Sequence, residues 1–155
     1  MADYADIVDS FDAVATARAD INYFIYQRVS SLNGRVQDKS YPMILLSSTP
    51  NTSRGAINSS YLPKSKLYTF NVFCYDTRNR ADQRTKSLQE SQATVDSILD
   101  KYIAQFARTN EAGVNGFELV SVENINGFLA HDVHNDKLVQ ATYSVTVRLD
   151  SDCVE

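Results

Sequence analysis

The chain has 155 residues, 43% of them hydrophobic and 22% charged, which suits one globular domain with a packed core and excludes wholesale disorder. Its 15 lysines and arginines against 19 aspartates and glutamates leave a net charge of −4, which argues against a surface built mainly to hold nucleic-acid phosphates. The acidic start Met1-Ala-Asp-Tyr-Ala-Asp6 lacks the basic and apolar regions of a signal peptide, and no apolar run reaches the ~20 residues of a membrane span. The expectation is a protein made in a cytosol with no membrane partner, its two cysteines, Cys74 and Cys153, free thiols rather than a bridge.

In chain order, apolar residues at Tyr4, Ile7, Val8, Phe11, Val14, Ala15, Ile21, Phe24, Ile25, Val29 and Leu32 recur at threes and fours and predict a first helix over about 3–32. Asp3, Asp6, Asp9 and Asp12 suit its positive end, and Asn33-Gly34 suits its stop. A break near Arg18 to Asp20 is the alternative. Tyr41 to Leu46 then reads as a short strand opening at Pro42.

Residues 47–66 hold six serines, Pro50, Pro63 and Gly55, together with Arg54, Lys64 and Lys66 and no acid, and predict a long polar basic loop. Leu67 to Asp76 is aromatic and β-branched and predicts a central strand paired with 41–46. A second helix is expected at 81–107, with Leu88, Val95, Ile98, Leu99, Tyr102, Ile103 and Phe106 on one stripe and Asn110 to Gly116 as its terminator. Three strands follow, Phe117 to Glu123, Phe128 to Val133 and Leu138 to Asp150. In the last, Val139, Ala141, Tyr143, Val145, Val147 and Leu149 should pack, and Gln140, Thr142, Ser144, Thr146 and Arg148 should be wet. The fold class is α+β, an antiparallel sheet packed by two long helices in the order α-β-β-α-β-β-β, with residues 1–155 forming one domain and the basic loop extending from the first hairpin.

Chemistry is expected to be absent. His131-Asp-Val-His134 with Asp136 offers metal-ligand residue types, yet positions 131 and 134 of a strand point to opposite faces and the chain has no third histidine, so a hairpin tip is the better reading. Cys74, between Phe73 and Tyr75, reads as an inert core thiol. No nucleophile elbow, Walker loop or dinucleotide-binding glycine turn occurs, and neither a cofactor nor a metal is expected. The basic cluster Arg78, Arg80, Arg84 and Lys86 reads as a solvated or partner-facing helix start.

Association is the stronger expectation. Tyr23, Tyr26, Tyr61 and Tyr68 are amphipathic rings of the kind favoured at interfaces, and Arg54, Tyr61, Lys64 and Lys66 of the basic loop are the expected partner-binding residues. A compact chain of this length is roughly 40 Å across. A ~30-residue helix of ~45 Å and a ~13-residue strand of ~43 Å would each span or overhang it and call for neighbours.

The succession of N-terminal helix, strand Tyr41 to Leu46, loop 47–66, strand Leu67 to Asp76, helix 81–107 and closing hairpin ending at Leu149 resembles the tail-terminator and tail-completion class of tailed-phage neck and tail ring proteins. The resemblance covers nearly the whole chain and is one of topology. It implies a structural virion protein, made in the host cytoplasm, that assembles head-to-tail into a ring of six or twelve copies. Double-stranded DNA would pass through without sequence-specific binding, adjacent neck or tail proteins would be partners, and there would be no catalytic residues. A cytosolic adaptor or ligand-binding α+β module, whose basic loop closes over an anionic partner, is the other reading.

Overall fold

The computed structural model describes residues 3–27, 42–48, 50–54, 65–77, 88–133 and 136–150. Helix α1, Tyr4–Ala17, begins at a reciprocal cap: Asp3 accepts from the Asp6 backbone N–H at 3.1 Å while the Asp6 carboxylate accepts from the Asp3 N–H at 2.7 Å. It ends far short of the expected residue 32. At Arg18 the backbone turns extended, its N–H folding back to the Ala15 carbonyl at 3.2 Å. The guanidinium then forks onto Asp20 at 2.8 and 2.9 Å and reaches Gln105 at 2.8 Å.

Beyond that break the chain is a strand, β1, Tyr23–Gln27. Asn22 enters it by donating to the Pro42 carbonyl at 2.9 Å, and β1 then runs parallel to β2, Met43–Ser47. The aromatic and β-branched run Tyr-Phe-Ile-Tyr suits a pleated surface better than a helix, and its threes-and-fours spacing is what any dense apolar run displays.

A second difference falls in 47–66. Asn51–Arg54 forms a short strand, β3, paired antiparallel with the start of β4, Ser65–Thr77, so part of the expected loop belongs to the sheet. Strand β2 pairs with the other end of β4, Met43 opposite Tyr75, as the expected 41–46 and 67–76 pairing required. Helix α2, Leu88–Thr109, follows; positions 81–87 of the expected helix lie outside the described residues. It closes through a 3-10 turn, Glu111–Gly113, with Gly113 and Gly116 at φ 68° and 86°, backbone that glycine adopts without steric cost.

The two strands expected at 117–123 and 128–133 are one strand, β5, Phe117–Val133, with irregularities between Leu119 and Ser121 and between Asn124 and Phe128. It forms a hairpin with β6, Asp136–Asp150. The element order is therefore α1, β1, β2, β3, β4, α2, β5, β6 rather than α-β-β-α-β-β-β, while the class, an α+β fold with two helices packed on a mostly antiparallel six-stranded sheet, is as expected. Strands run β1-β2-β4-β6-β5 across the sheet, with β3 beside β4. Among the described residues no helix is long and apolar enough to cross a membrane.

Both helices pack on one face. Ile7, Phe11, Val14 and Ala15 of α1 and Val95, Ile98, Leu99, Tyr102, Ile103 and Phe106 of α2 bury against Phe70, Val72 and Cys74 of β4 and Val139, Ala141, Val145, Val147 and Leu149 of β6. At the centre the rings of Phe11 and Phe106 stack 4.0 Å apart, with Phe70 edge-on to Phe11 at 5.4 Å. Each such buried ring contributes about 1.5–3 kcal/mol by leaving water.

The opposite face is dry at one end. Cross-strand register sets Tyr23, Met43, Tyr75 and Gln140 in one row and Ile25, Leu45, Phe73 and Thr142 in the next. Met43, Leu45, Phe73 and Tyr75 form a second buried cluster there. Gln140 and Thr142, expected to be wet, are buried beside it, and the Gln140 amide is satisfied by donating to the Thr142 hydroxyl at 2.8 Å. The other end of this face is polar: Thr69 and Thr146 hydroxyls share a hydrogen bond at 3.1 Å, and Arg148 pairs with Glu118.

Candidate assembly surfaces

Of the four residues expected to bind partners, Tyr61 and Lys64 lie outside the described residues. Arg54 and Lys66 are brought together: the β3–β4 register places them directly opposite, with Leu149 of β6 opposite Lys66 on its other side. Arg78, Arg80, Arg84, Lys86 and His134 also fall outside the described residues, and His131 lies in β5 near its hairpin with β6. Among the described residues no three His, Cys, Asp or Glu side chains gather as a metal site would require.

Cys74 is fully buried on the helix-covered face, and burial pushes its thiol well above the usual range, the opposite of what a nucleophile needs. The core reading of that residue stands.

A groove of about 490 Å³ opens between the helices and the start of β5, lined by Asp6, Asp9, Ser10, Ala13, Thr109, Asn115 and Phe117. Behind the lining residues Ser10 and Asn115 lies Asn110, a buried side chain whose Nδ2 donates to the Ser10 hydroxyl and the Phe106 carbonyl, both at 3.0 Å. The Asn110 Oδ1 accepts from Asn115 at 2.9 Å, and Asn115 also caps the Thr109 carbonyl at 3.2 Å. These bonds satisfy α2's last turn and fix the path into β5. They serve the fold, and the carboxylates of Asp6 and Asp9 give the groove mouth a negative lining.

The sheet edges carry Tyr26, one of the tyrosines expected to favour interfaces, and two valines that sequence reading missed. Tyr26 on β1 is 38% exposed, and its hydroxyl meets that of Tyr4 at 2.6 Å. Burial, and then this bond, push the Tyr4 phenol well above its ordinary value, so the Tyr4 hydroxyl stays protonated near neutrality. Tyr4 in turn packs on Tyr68 and Phe70 at 5.2 and 5.8 Å, tying α1 to the sheet. On the far edge Val120 and Val122 of β5 remain 49% and 37% exposed. The signal for β1 was available in its uncharged aromatic composition, whereas edge position depends on strand order, which one sequence does not display.

No known family profile matches the chain, and no curated protein is similar to it.

Proposed function

We propose that this chain is a structural subunit of a ring in the neck or tail of a tailed phage, part of the DNA conduit and of the contact between neighbouring rings. The observation that carries the reading is the shape of the sheet. Strands β4 and β6 pair without interruption from Ser65 and Asp150 to Thr77 and Leu138, 13 residues. Strand β5 flanks β6 from Phe117 opposite Leu149 to Val133 opposite Asp136. At about 3.4 Å per residue that slab is about 44 Å long, more than the roughly 40 Å expected for a compact chain of this size.

A slab that reaches both ends of its body offers two end surfaces to neighbours above and below, and two edges to neighbours at either side. Helix α1, at 14 residues and about 21 Å, is too short to span the body. The net charge of −4 suits a conduit that repels phosphate and so lets DNA slide.

Light scattering on the purified full chain, with immunogold labelling of intact particles, tests the reading. A closed oligomer and label at the neck or tail are expected. A monomer that gains thermal stability with phosphate or a nucleotide, together with particles that take no label, would instead establish a ligand-binding module.

A further inference from the structure

Among the described residues β1 and β5 are the outer strands of the sheet, and three of the four large hydrophobic residues left exposed sit on them, Tyr26 on β1 and Val120 and Val122 on β5. Register places Tyr26 and Val122 on the same face. Tyr26 lies opposite Leu46, Leu46 opposite Val72 and Val72 opposite Tyr143, while Val122 lies opposite Val145 and Val145 opposite Phe70, all on the helix-covered side. Strand β1, Tyr-Phe-Ile-Tyr-Gln, has no charge, proline or glycine, the devices that blunt an outer strand against pairing. On β5 the charge of Glu118 is matched by Arg148 and Glu123 is exposed, and between its two irregularities the strand pairs regularly from Ser121 to Asn124, the stretch open to an incoming strand.

We propose that β1 of one copy adds to the outer edge of β5 in the next, so that the sheet continues from subunit to subunit around the ring; this rests on the ring reading above. Strand directions alternate from β5 through β6 and β4 to β2, and β1 is parallel to β2, so a rotation about an axis along the strands sets the incoming β1 antiparallel to β5. Tyr26 then comes beside Val122, and the apolar stripe of one copy continues into the next. The row of Tyr26 meets β5 at Asn124, two residues from Val122, so the junction staggers neighbours by about 7 Å, the kind of shear that lets a sheet close. A two-fold β1-to-β1 pairing would leave both valines exposed, whereas the head-to-tail junction uses both edges.

The test uses the full chain and charge substitutions on exposed positions, with circular dichroism confirming folding. Tyr26→Lys and Val122→Glu should each raise the concentration for half-assembly by about tenfold or more, because each desolvates an unpaired charge. The double variant Tyr26→Lys/Val122→Glu should recover assembly, since every junction then joins opposite charges. The reciprocal set, Tyr26→Glu and Val122→Lys, should behave alike, which separates charge pairing from loss of the Tyr4 bond. Closed oligomers indifferent to all four single substitutions would overturn the edge junction and leave the ring standing. Open filaments dissolved by either single substitution would keep the junction and remove the ring. A dimer sensitive only at Tyr26, or a wild-type chain that is monomeric both alone and in labelled particles, would overturn the junction outright.

Discussion

Tyr102 donates its phenolic hydroxyl to the backbone carbonyl of Phe11 at 2.7 Å, joining the middle of α2 to the middle of α1 inside the core. Because Phe11 lies within α1, its carbonyl also has a helical partner to fall back on. Tyr102→Phe should therefore cost only about 1 kcal/mol, the net value of one buried hydrogen bond. Tyr102→Ala should cost about 3–5 kcal/mol by opening a cavity beside Phe11 and Phe106. Urea denaturation of the two variants gives the comparison, and equal midpoints would show that the ring is not a core element.

Val145 is fully buried beneath the helices, while its neighbour Thr146 is half-buried on the polar end of the other face, bonded to Thr69. Val145→Asp should destabilise the protein more than Thr146→Asp by at least about 2 kcal/mol, since only the first buries an unpaired charge. Melting temperatures of the purified variants decide the point; coincident values would contradict the facing of β6.

The hydrogen bonds from Arg18 hold the Asp20 carboxyl below its ordinary value, with burial opposing in part. A carboxyl lowered in the folded state contributes stability that is fully present above its unfolded value, about 3.9, and is lost as pH falls through the lowered folded value. Solvent access at this site keeps the contribution small. Asp20→Asn should flatten the acid limb of stability against pH and leave neutral behaviour close to wild type once the lost bond is accounted for. Identical acid limbs in denaturant midpoints from pH 5 to pH 2 would remove the pair from this role.

Cys74 should resist thiol reagents in the native state, because it is enclosed and its thiolate is disfavoured. In a Cys153→Ser background, labelling should track global unfolding by urea. Rapid labelling without denaturant would mean that the helix layer opens locally over β4.

Where composition and period agreed, the fold was legible. Leu67 to Asp76 and Leu138 to Asp150 are strands because their aromatic and β-branched alternation has no helical reading, and α2 shows a single apolar stripe. Tyr23 to Tyr26 was ambiguous, since four consecutive apolar residues satisfy either period and the parallel partner lies across a crossover. Asn51 to Arg54 carries almost no apolar signal and is a strand only because β4 supplies the ladder. Gln140 and Thr142 defeated simple alternation because the end of the face they share with Met43, Leu45, Phe73 and Tyr75 is buried rather than wet. At the candidate surfaces, basic composition pointed to Arg54 and Lys66, but their direct opposition and the exposed edge residues Tyr26, Val120 and Val122 follow from pairing between distant segments.

The strand order imposes a schedule on synthesis. Strand β6 lies between β4 and β5 yet is the last of the described elements to be made, so β4 and β5 have no ladder in common until it arrives. During translation β4 can close only with β2 and β3, and the apolar side chains Phe70 and Val72 lack the β6 half of their packing. A nascent chain in that condition is sticky, and its β4 edge is a template for any strand that meets it. Folding therefore finishes late and cooperatively with the insertion of β6, and truncations that remove β6 should aggregate rather than yield a smaller folded unit.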